Sequence, residues 1–289
     1  MKHTYGLTIA YDGLKYHGMQ YQKDQITVQK KIEDALEILF KKKIKIAIAG
    51  RTDSGVHATG QVISFKTPIP ILDPEKFANS VNALAGPAIS VIKFHKLPLH
   101  FHARFDCIAR EYEYLIYAGK KKPILLENYV WHIEEEIDLF VIQEEIREIL
   151  GEREFKSFSR RSNENSVRFL EYFKIEKKMD CLMGFPLFSI QIRGNAFLHN
   201  MVRILVGTII DRIQNRINLT LKEILDLKDR TKAGKTAPSY GLYFRKAYYP
   251  KVPDLLDSGL ELLDSYPIFG SSYYKNQLQN NIRLKNFVN

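Results

Sequence analysis

The 289-residue chain is 45% hydrophobic and 26% charged, and 43 Lys and Arg against 33 Asp and Glu give a formal net charge of +10. This composition excludes a low-complexity or disordered polymer and suits one large or two medium domains with apolar cores. The positive balance favours a polyanionic partner wherever the charges share a face, although runs such as "KKKIK" (41–45) and "KKKP" (120–123) equally suit solvated strand ends and loops.

From Tyr5 to Tyr11 the apolar residues Tyr5, Leu7, Ile9 and Tyr11 alternate with small or polar neighbours, the pattern of a strand covered on one face. Val28, Ile32, Leu36, Leu39 and Phe40 then recur at helical spacing and predict a helix over 27–40. A second strand is predicted at 44–49, ending at Gly50, and a third at 61–66. In 73–84, Asp73 as N-cap, Pro74 at the first helical position and a stripe of Phe77, Val81 and Leu84 predict a helix, and 89–94 reads as a strand. The order βαββαβ is that of a split βαβ sheet layered on helices.

A second round begins near residue 105. The stretch 111–119 predicts a strand with Tyr112 and Tyr114 on one face, and Leu139, Ile142, Ile146 and Ile149 predict a helix. Strands follow at 168–177 and 186–194, then a helix at 196–213, a helix at 220–228 opening on a Thr220–Glu223 capping box, and a closing strand at 241–249. Two similar α+β halves are the economical reading. Beyond residue 250, "DLLDSGLELLD" (254–264) suggests a short amphipathic helix. The Asn- and Gln-rich remainder reads as an appendage packed on the body or on a partner subunit, or as a disordered tail.

The turn "GRTDSGVHATG" (50–60) places Asp53 between Gly50 and Gly55, where the backbone turns sharply between strands that hold its ends. A carboxylate fixed in this way suits a nucleophile or a single proton carrier, while an aspartate bonded to its own turn backbone is the bland alternative. Arg51 suits either an ion pair with that carboxylate or bidentate contact with phosphate. His57 invites a general-base reading or the orienting of a loop. No second carboxylate lies close by in this loop, so the acid–base pair of a glycosidase is not evident.

His102 and Arg104 in "FHARFD" (101–106) set positive charge beside aromatic rings, as a phosphate-and-base contact or as a plain connector. Tyr112 and Tyr114 suit nucleobase stacking and ordinary sheet core alike. Arg203 within the apolar "MVRILVG" requires a buried or clefted partner, and it stands four residues after His199, which predicts one shared helical face. No phosphate loop, dinucleotide fingerprint or zinc-ligand spacing occurs, so no metal and no cofactor are expected. The two cysteines, Cys107 and Cys181, are too few for a disulfide framework; no run of about 18 apolar residues appears, and the amino terminus lacks the apolar core of a signal peptide. A soluble cytoplasmic protein with reduced thiols is expected.

Taken together, "GRTDSGVHATGQ" (50–61), "FHARFDCIAREYEYLIY" (101–117), "NAFLHNMVRILVG" (195–207) and "APSYGLYF" (237–244) resemble, in order and rough spacing, the tRNA pseudouridine synthase A family. The likeness runs from about residue 5 to 249; it departs mildly at Gly18-Met19-Gln20, at His199-Asn200 and at 237–242, and it does not cover the extension past Pro250. It implies an isomerase that converts uridine to pseudouridine in the anticodon stem-loop of tRNA without metal or organic cofactor. Its fold would be α+β, with two RRM-like halves of antiparallel sheet, helices packed on one face and a central cleft. The halves would span 1–104 and 105–250, with 251–289 as an extension of unknown role. By the resemblance Asp53 is the catalytic aspartate, Arg51 and Arg203 are active-site arginines, and Tyr112 is the stacking tyrosine, with Tyr114 as fallback. His57, His102, Arg104, Tyr114 and His199 would line the RNA. The implied partners are tRNA and a second copy of the chain in a homodimer, with neither DNA nor membrane. A non-catalytic module that shapes or protects tRNA, and a glycosidic hydrolase, are the rival readings.

Overall fold

The computed structural model describes residues 2–160, 165–180 and 184–263. The first half comprises β1 (His3–Tyr11), α1 (Val28–Phe40), β2 (Ile46–Ile48), β3 (His57–Thr67), α2 (Pro74–Ala85) and β4 (Ile89–Leu97). Thr27 caps α1 by accepting from the Lys30 N–H, and Ile32 and Leu36 on its inner face are fully buried. Asp73 caps α2 in the same way through the Lys76 N–H, with Pro74 opening the helix as its composition predicts.

The second half comprises β5 (Ala109–Ala118), β6 (Trp131–Ile133), α3 (Gln143–Glu148), β7 (Gly151–Glu154), β8 (Val167–Met179), β9 (Pro186–Gly194), α4 (Met201–Ile213), α5 (Leu221–Leu227), β10 (Leu242–Pro250) and β11 (Glu261–Leu263). The reciprocal Thr220–Glu223 capping box at the start of α5 forms as expected.

All strands belong to one mixed sheet in the order β4-β1-β3-β10-β5-β9-β8-β7, with β2 beside β3, β6 beside β5 and β11 beside β10. The expectation of antiparallel halves holds in the first half and is corrected in the second, where β5–β6 is parallel; the seam pair β3–β10 and the added pair β10–β11 are parallel too. The seam between halves is short, with His57 opposite Tyr243 and Ala58 opposite Phe244. Helices cover one face. On β5, Tyr112, Tyr114 and Ile116 join the main core on that side. Glu111 and Glu113 alternate with them and meet the polar groups of the other face, where Glu111 accepts from the hydroxyls of Tyr172 and Tyr248, both at 2.6 Å.

Several boundaries differ from the sequence reading. β3 begins at His57 rather than 61, because the turn closes at Gly55, whose φ of +78° is open to glycine. Residues 196–200 are not helical: the Asn195 side chain accepts from the Phe169 and Ala196 N–H groups and diverts the chain, and Asn200 at φ 61° delays the helix to Met201. The helix expected over Leu139–Ile149 is a 3-10 turn at Leu139–Ile142 followed by α3. At 254–264 a 3-10 turn (Pro253–Ser258) and β11 replace the expected helix, since Gly259 at φ +71° breaks it. Cys181 and residues from 264 onward lie outside the described residues.

Candidate active site

The Gly50–Gly55 turn is braced at every step. Gln61, fully buried on β3, spans its start: Nε2 donates to the Gly50 carbonyl (2.8 Å) and Oε1 accepts from the Gly50 N–H (3.3 Å). Thr52 is buried with its hydroxyl on that of Tyr11 (2.7 Å), and its carbonyl accepts from the Met19 N–H (3.1 Å). Burial pushes the Tyr11 hydroxyl up to about 12, against the pull of Thr52 and Gln61, so it stays protonated and able to donate. Gly18, at φ +92°, packs where a Cβ would lie 2.8 Å from the Thr52 carbonyl oxygen. Gly55 closes the turn against Ser239, whose Oγ would be 2.5 Å from an added Cβ.

Asp53 projects from this support with its side chain 38% exposed. Two side chains of the second half address its two oxygens separately: Arg203 Nη1 lies 3.6 Å from Oδ2 and His199 Nε2 lies 3.6 Å from Oδ1. Arg203 projects from α4, and its Nε donates to the Ala237 carbonyl (2.8 Å) while Nη1 reaches Asn200 Oδ1 (3.4 Å). Burial lowers the Arg203 pKa and the facing Asp53 raises it, leaving the guanidinium charged at neutral pH. The segment 233–240 lies along α4 to supply that carbonyl, and Gly207 permits the approach because a Cβ there would fall 1.8 Å from the Lys235 carbonyl oxygen.

His199 and Arg203 therefore meet at Asp53, but not through a shared helical face, since His199 precedes α4. Arg51 does not pair with Asp53: it is exposed, and its guanidinium has no hydrogen bond or ion pair among the described residues. Tyr112 is only 8% exposed, and its ring packs edgewise with Phe197 (5.0 Å) and Phe244 (5.2 Å). Its hydroxyl donates toward the Arg51 carbonyl (3.4 Å), and burial raises its pKa well beyond the usual phenol range. Tyr112 thus floors the turn, and the half-buried ring beside it is Phe197.

Two of the residues expected to contact RNA are buried. His57 is 2% exposed: its Nδ1 accepts from the Gly13 N–H (3.2 Å), its Nε2 faces the Asn128 carbonyl (3.3 Å), and its ring stacks on Tyr243. Asp12 lies 3.3 Å from the same Nδ1, yet the Gly13 N–H needs that nitrogen unprotonated, and burial lowers the His57 pKa against the pull of Asp12. Tyr114 is fully buried and donates to the Pro238 carbonyl (2.8 Å), which makes it core and a brace for the 233–240 segment. His102 is half-buried on the connector, with Nδ1 accepting from the Arg104 N–H (3.2 Å) and its ring stacked on Phe105. Arg104 is exposed, its guanidinium over the Phe105 ring at 5.9 Å. Gln61, Phe197 and Ala237 escaped the sequence reading. The Gln61 signal was present, a polar residue at the buried register of a strand, whereas a carbonyl partner such as Ala237 leaves no mark in side-chain type.

Among the described residues no cluster of three or more His, Cys, Asp or Glu is arranged to hold a metal ion, and no helix is long and apolar enough to cross a membrane. A tRNA pseudouridine synthase family profile matches residues 7–106 and 146–250. The chain belongs to the tRNA pseudouridine synthase family. Among its relatives, tRNA pseudouridine synthase A of Leptospira biflexa is 38% identical over 258 residues, covering 87% of this chain and 96% of that protein. The enzyme of the same name from Caldicellulosiruptor saccharolyticus is 39% identical over 246 residues (84% and 98%). That of Bacillus subtilis is 37% identical over 247 residues (84% and 97%). The family match spans the Asp53 turn, Arg203 and the 233–240 segment alike, and it ends at residue 250.

Proposed function

We propose that this family member isomerises uridine to pseudouridine in the anticodon stem-loop of tRNA, with Asp53 as the catalytic carboxylate. The observation that carries the reading is a half-exposed carboxylate on a braced turn, faced at 3.6 Å by Arg203 and His199 from the other half. With the Arg203 guanidinium beside it, the Asp53 carboxylate is placed to add to an electrophilic carbon. The N1–C1′ bond breaks, the base turns, C5 bonds to the same C1′, the C5 hydrogen leaves as a proton and N1 takes one up. Asp53 serves this sequence either by adding to C6 of the base and being expelled once C5 is joined to C1′, or by bonding C1′ as N1 leaves and being displaced by C5 after the base turns.

A stacked uridine must first leave its stack at a cost of a few kcal/mol, offset by contacts inside the site. Phe197 and the edge of Tyr112 supply the aromatic surface beside Asp53, and the exposed Arg51 guanidinium meets a phosphate. The net charge of +10 supports a polyanionic substrate. Two RRM-like halves, 1–104 and 105–250, form the walls of the cleft in this reading, and the protein works as a cytoplasmic homodimer. The test is Asp53→Asn assayed on unmodified tRNA, with nucleosides analysed after digestion. Loss of pseudouridine with tRNA affinity retained is the expected outcome; undiminished pseudouridine formation refutes the assignment of Asp53. Released uracil from the unaltered protein would make it a hydrolase, and unchanged uridine a binding module.

A further inference from the structure

Arg110, near the start of β5, spends its guanidinium on main-chain carbonyls from three separate segments. Nε donates to Ala49 (3.1 Å), Nη1 to Asn195 (2.7 Å) and Cys107 (3.1 Å), and Nη2 to Arg104 (3.0 Å). Each acceptor sits at the foot of something the site needs. Ala49 is the residue before Gly50, where the Asp53 turn leaves β2. Asn195 follows the end of β9 and starts the stretch that carries Phe197, His199 and then Arg203. Arg104 and Cys107 belong to the connector between the halves.

We infer that Arg110 is a positioning residue for the reaction: it ties the foot of the Asp53 turn to the foot of the His199–Arg203 stretch and so fixes the separation between the carboxylate and the Arg203 and His199 side chains that face it. The inference rests on the reading of Asp53 given above. The chemistry of the side chain suits the task. A planar guanidinium offers five N–H donors in a rigid fork, so one residue holds carbonyls approaching from different directions; an ammonium offers three donors on a flexible stem and no fixed plane. Asn195 is itself pinned, 3% exposed with its own N–H on the Phe169 carbonyl (3.1 Å) and its side chain accepting from the Phe169 N–H (3.0 Å). Ala49 is equally fixed through its N–H on the Val62 carbonyl (2.9 Å). Arg110 thus joins two segments that are each held by their own main-chain bonds, and a change in its length or shape moves one relative to the other. Such a residue alters the rate at saturation more than it alters tRNA affinity, because the phosphate-contacting surface of each half is unchanged.

The full-length parent, Arg110→Lys, Arg110→Gln and Asp53→Asn proteins are compared on unmodified tRNA transcript. Pseudouridine formation is followed in single turnover at saturating enzyme, tRNA affinity by filter binding and folding by the thermal midpoint. Arg110→Lys is expected to lower the saturated rate roughly 30–100-fold, the scale of a misplacement near an ångström, with tRNA affinity within about threefold and the protein folded at the assay temperature. Arg110→Gln is expected to lie at or below the lysine variant. Saturated rates within about twofold of the parent, after scaling to the folded fraction, overturn the inference. So does the failure of both variants to fold, which would make Arg110 a determinant of folding instead of placement. An active Asp53→Asn protein refutes the site itself; an inactive one beside normal Arg110 variants refutes this inference alone.

Discussion

Replacing Gln61 by Leu removes both hydrogen bonds that hold the root of the Asp53 turn while keeping the buried volume nearly constant. Each bond contributes about 1 kcal/mol net, and leaving the half-buried Gly50 N–H and carbonyl without partners brings the cost to about 1–2 kcal/mol per group. The longer bond, at 3.3 Å, belongs to the low end of that range. A loss of about 3 kcal/mol of stability is therefore expected, or roughly 6–12 °C in the unfolding midpoint of a chain this long. Urea unfolding, read by far-UV circular dichroism and by the single tryptophan, Trp131, measures the first figure. Tritium release from tRNA labelled at uridine C5, in single turnover at low temperature, measures what the loosened turn does to Asp53, and a fall of about tenfold or more is expected. Gln61→Glu separates the two bonds: a carboxylate still accepts from the Gly50 N–H but offers nothing to the Gly50 carbonyl and repels it, so it is at least as damaging as Leu. A Leu variant within about 0.5 kcal/mol of the parent and with an unaltered rate would refute the claim that Gln61 fixes the turn.

Removing the Arg203 charge with Arg203→Met deprives Asp53 of a partner 3.6 Å away. At an effective dielectric of about 20 the attraction is about 4–5 kcal/mol, and the 38% exposure of Asp53 screens it to about a third, so the saturated rate should fall roughly 10-fold or more, with Arg203→Lys intermediate because it keeps charge and loses the Ala237 anchor. Gly207→Ala forces the 233–240 segment off α4, since the new Cβ would lie 1.8 Å from the Lys235 carbonyl oxygen; a loss of about 1–3 kcal/mol or more in urea unfolding is expected, together with reduced activity. His95 is buried with Nδ1 on the Ser258 carbonyl (2.8 Å) and Nε2 on the Thr8 hydroxyl (2.7 Å), an arrangement fitted by the neutral ring, and burial lowers its pKa with a smaller push from Lys93. Its folded pKa thus lies below the unfolded value of about 6.5, the unfolded chain binds more protons below that pH, and stability is lost as pH falls from about 6.5. His57 and His102 act in the same direction. His95→Gln should flatten the slope of unfolding free energy against pH between about 5 and 6.5, and an unchanged slope would remove His95 from the account.

Elements whose stabilisation is local were legible in the chain. The capped helices α1, α2 and α5 and the alternating strands β1, β5 and β9 fall where periodicity and cap residues put them. β6 and β11 span three residues each and β7 four, too few for a period to register, and their pairing partners are what order them; β2, equally short, was legible only because it lies in the apolar run 44–49. At the site, the glycine-bracketed Asp53 and the anomalous Arg203 were visible because each residue type was out of keeping with its neighbours. Their meeting was not, because it depends on a contact 150 residues apart in the chain. His57 and Tyr114 looked available and are core, since a ring that could serve either purpose takes its role from what packs over it. Arg110 and Gln61 work through backbone carbonyls and amides, which every residue carries, so only the folded chain reveals them.

The order in which the strands are made has a consequence for synthesis. β10 adjoins both β3 and β5 in the middle of the sheet, yet its residues are among the last of the described chain to be translated. A ribosome-bound chain that has not yet reached Leu242 holds Asp53 without the strand that aligns it to the opposite half, and it lacks the Ala237 carbonyl until shortly before. The turn that carries Asp53 is therefore brought into register with the opposite half only late, once β10 takes its place between β3 and β5.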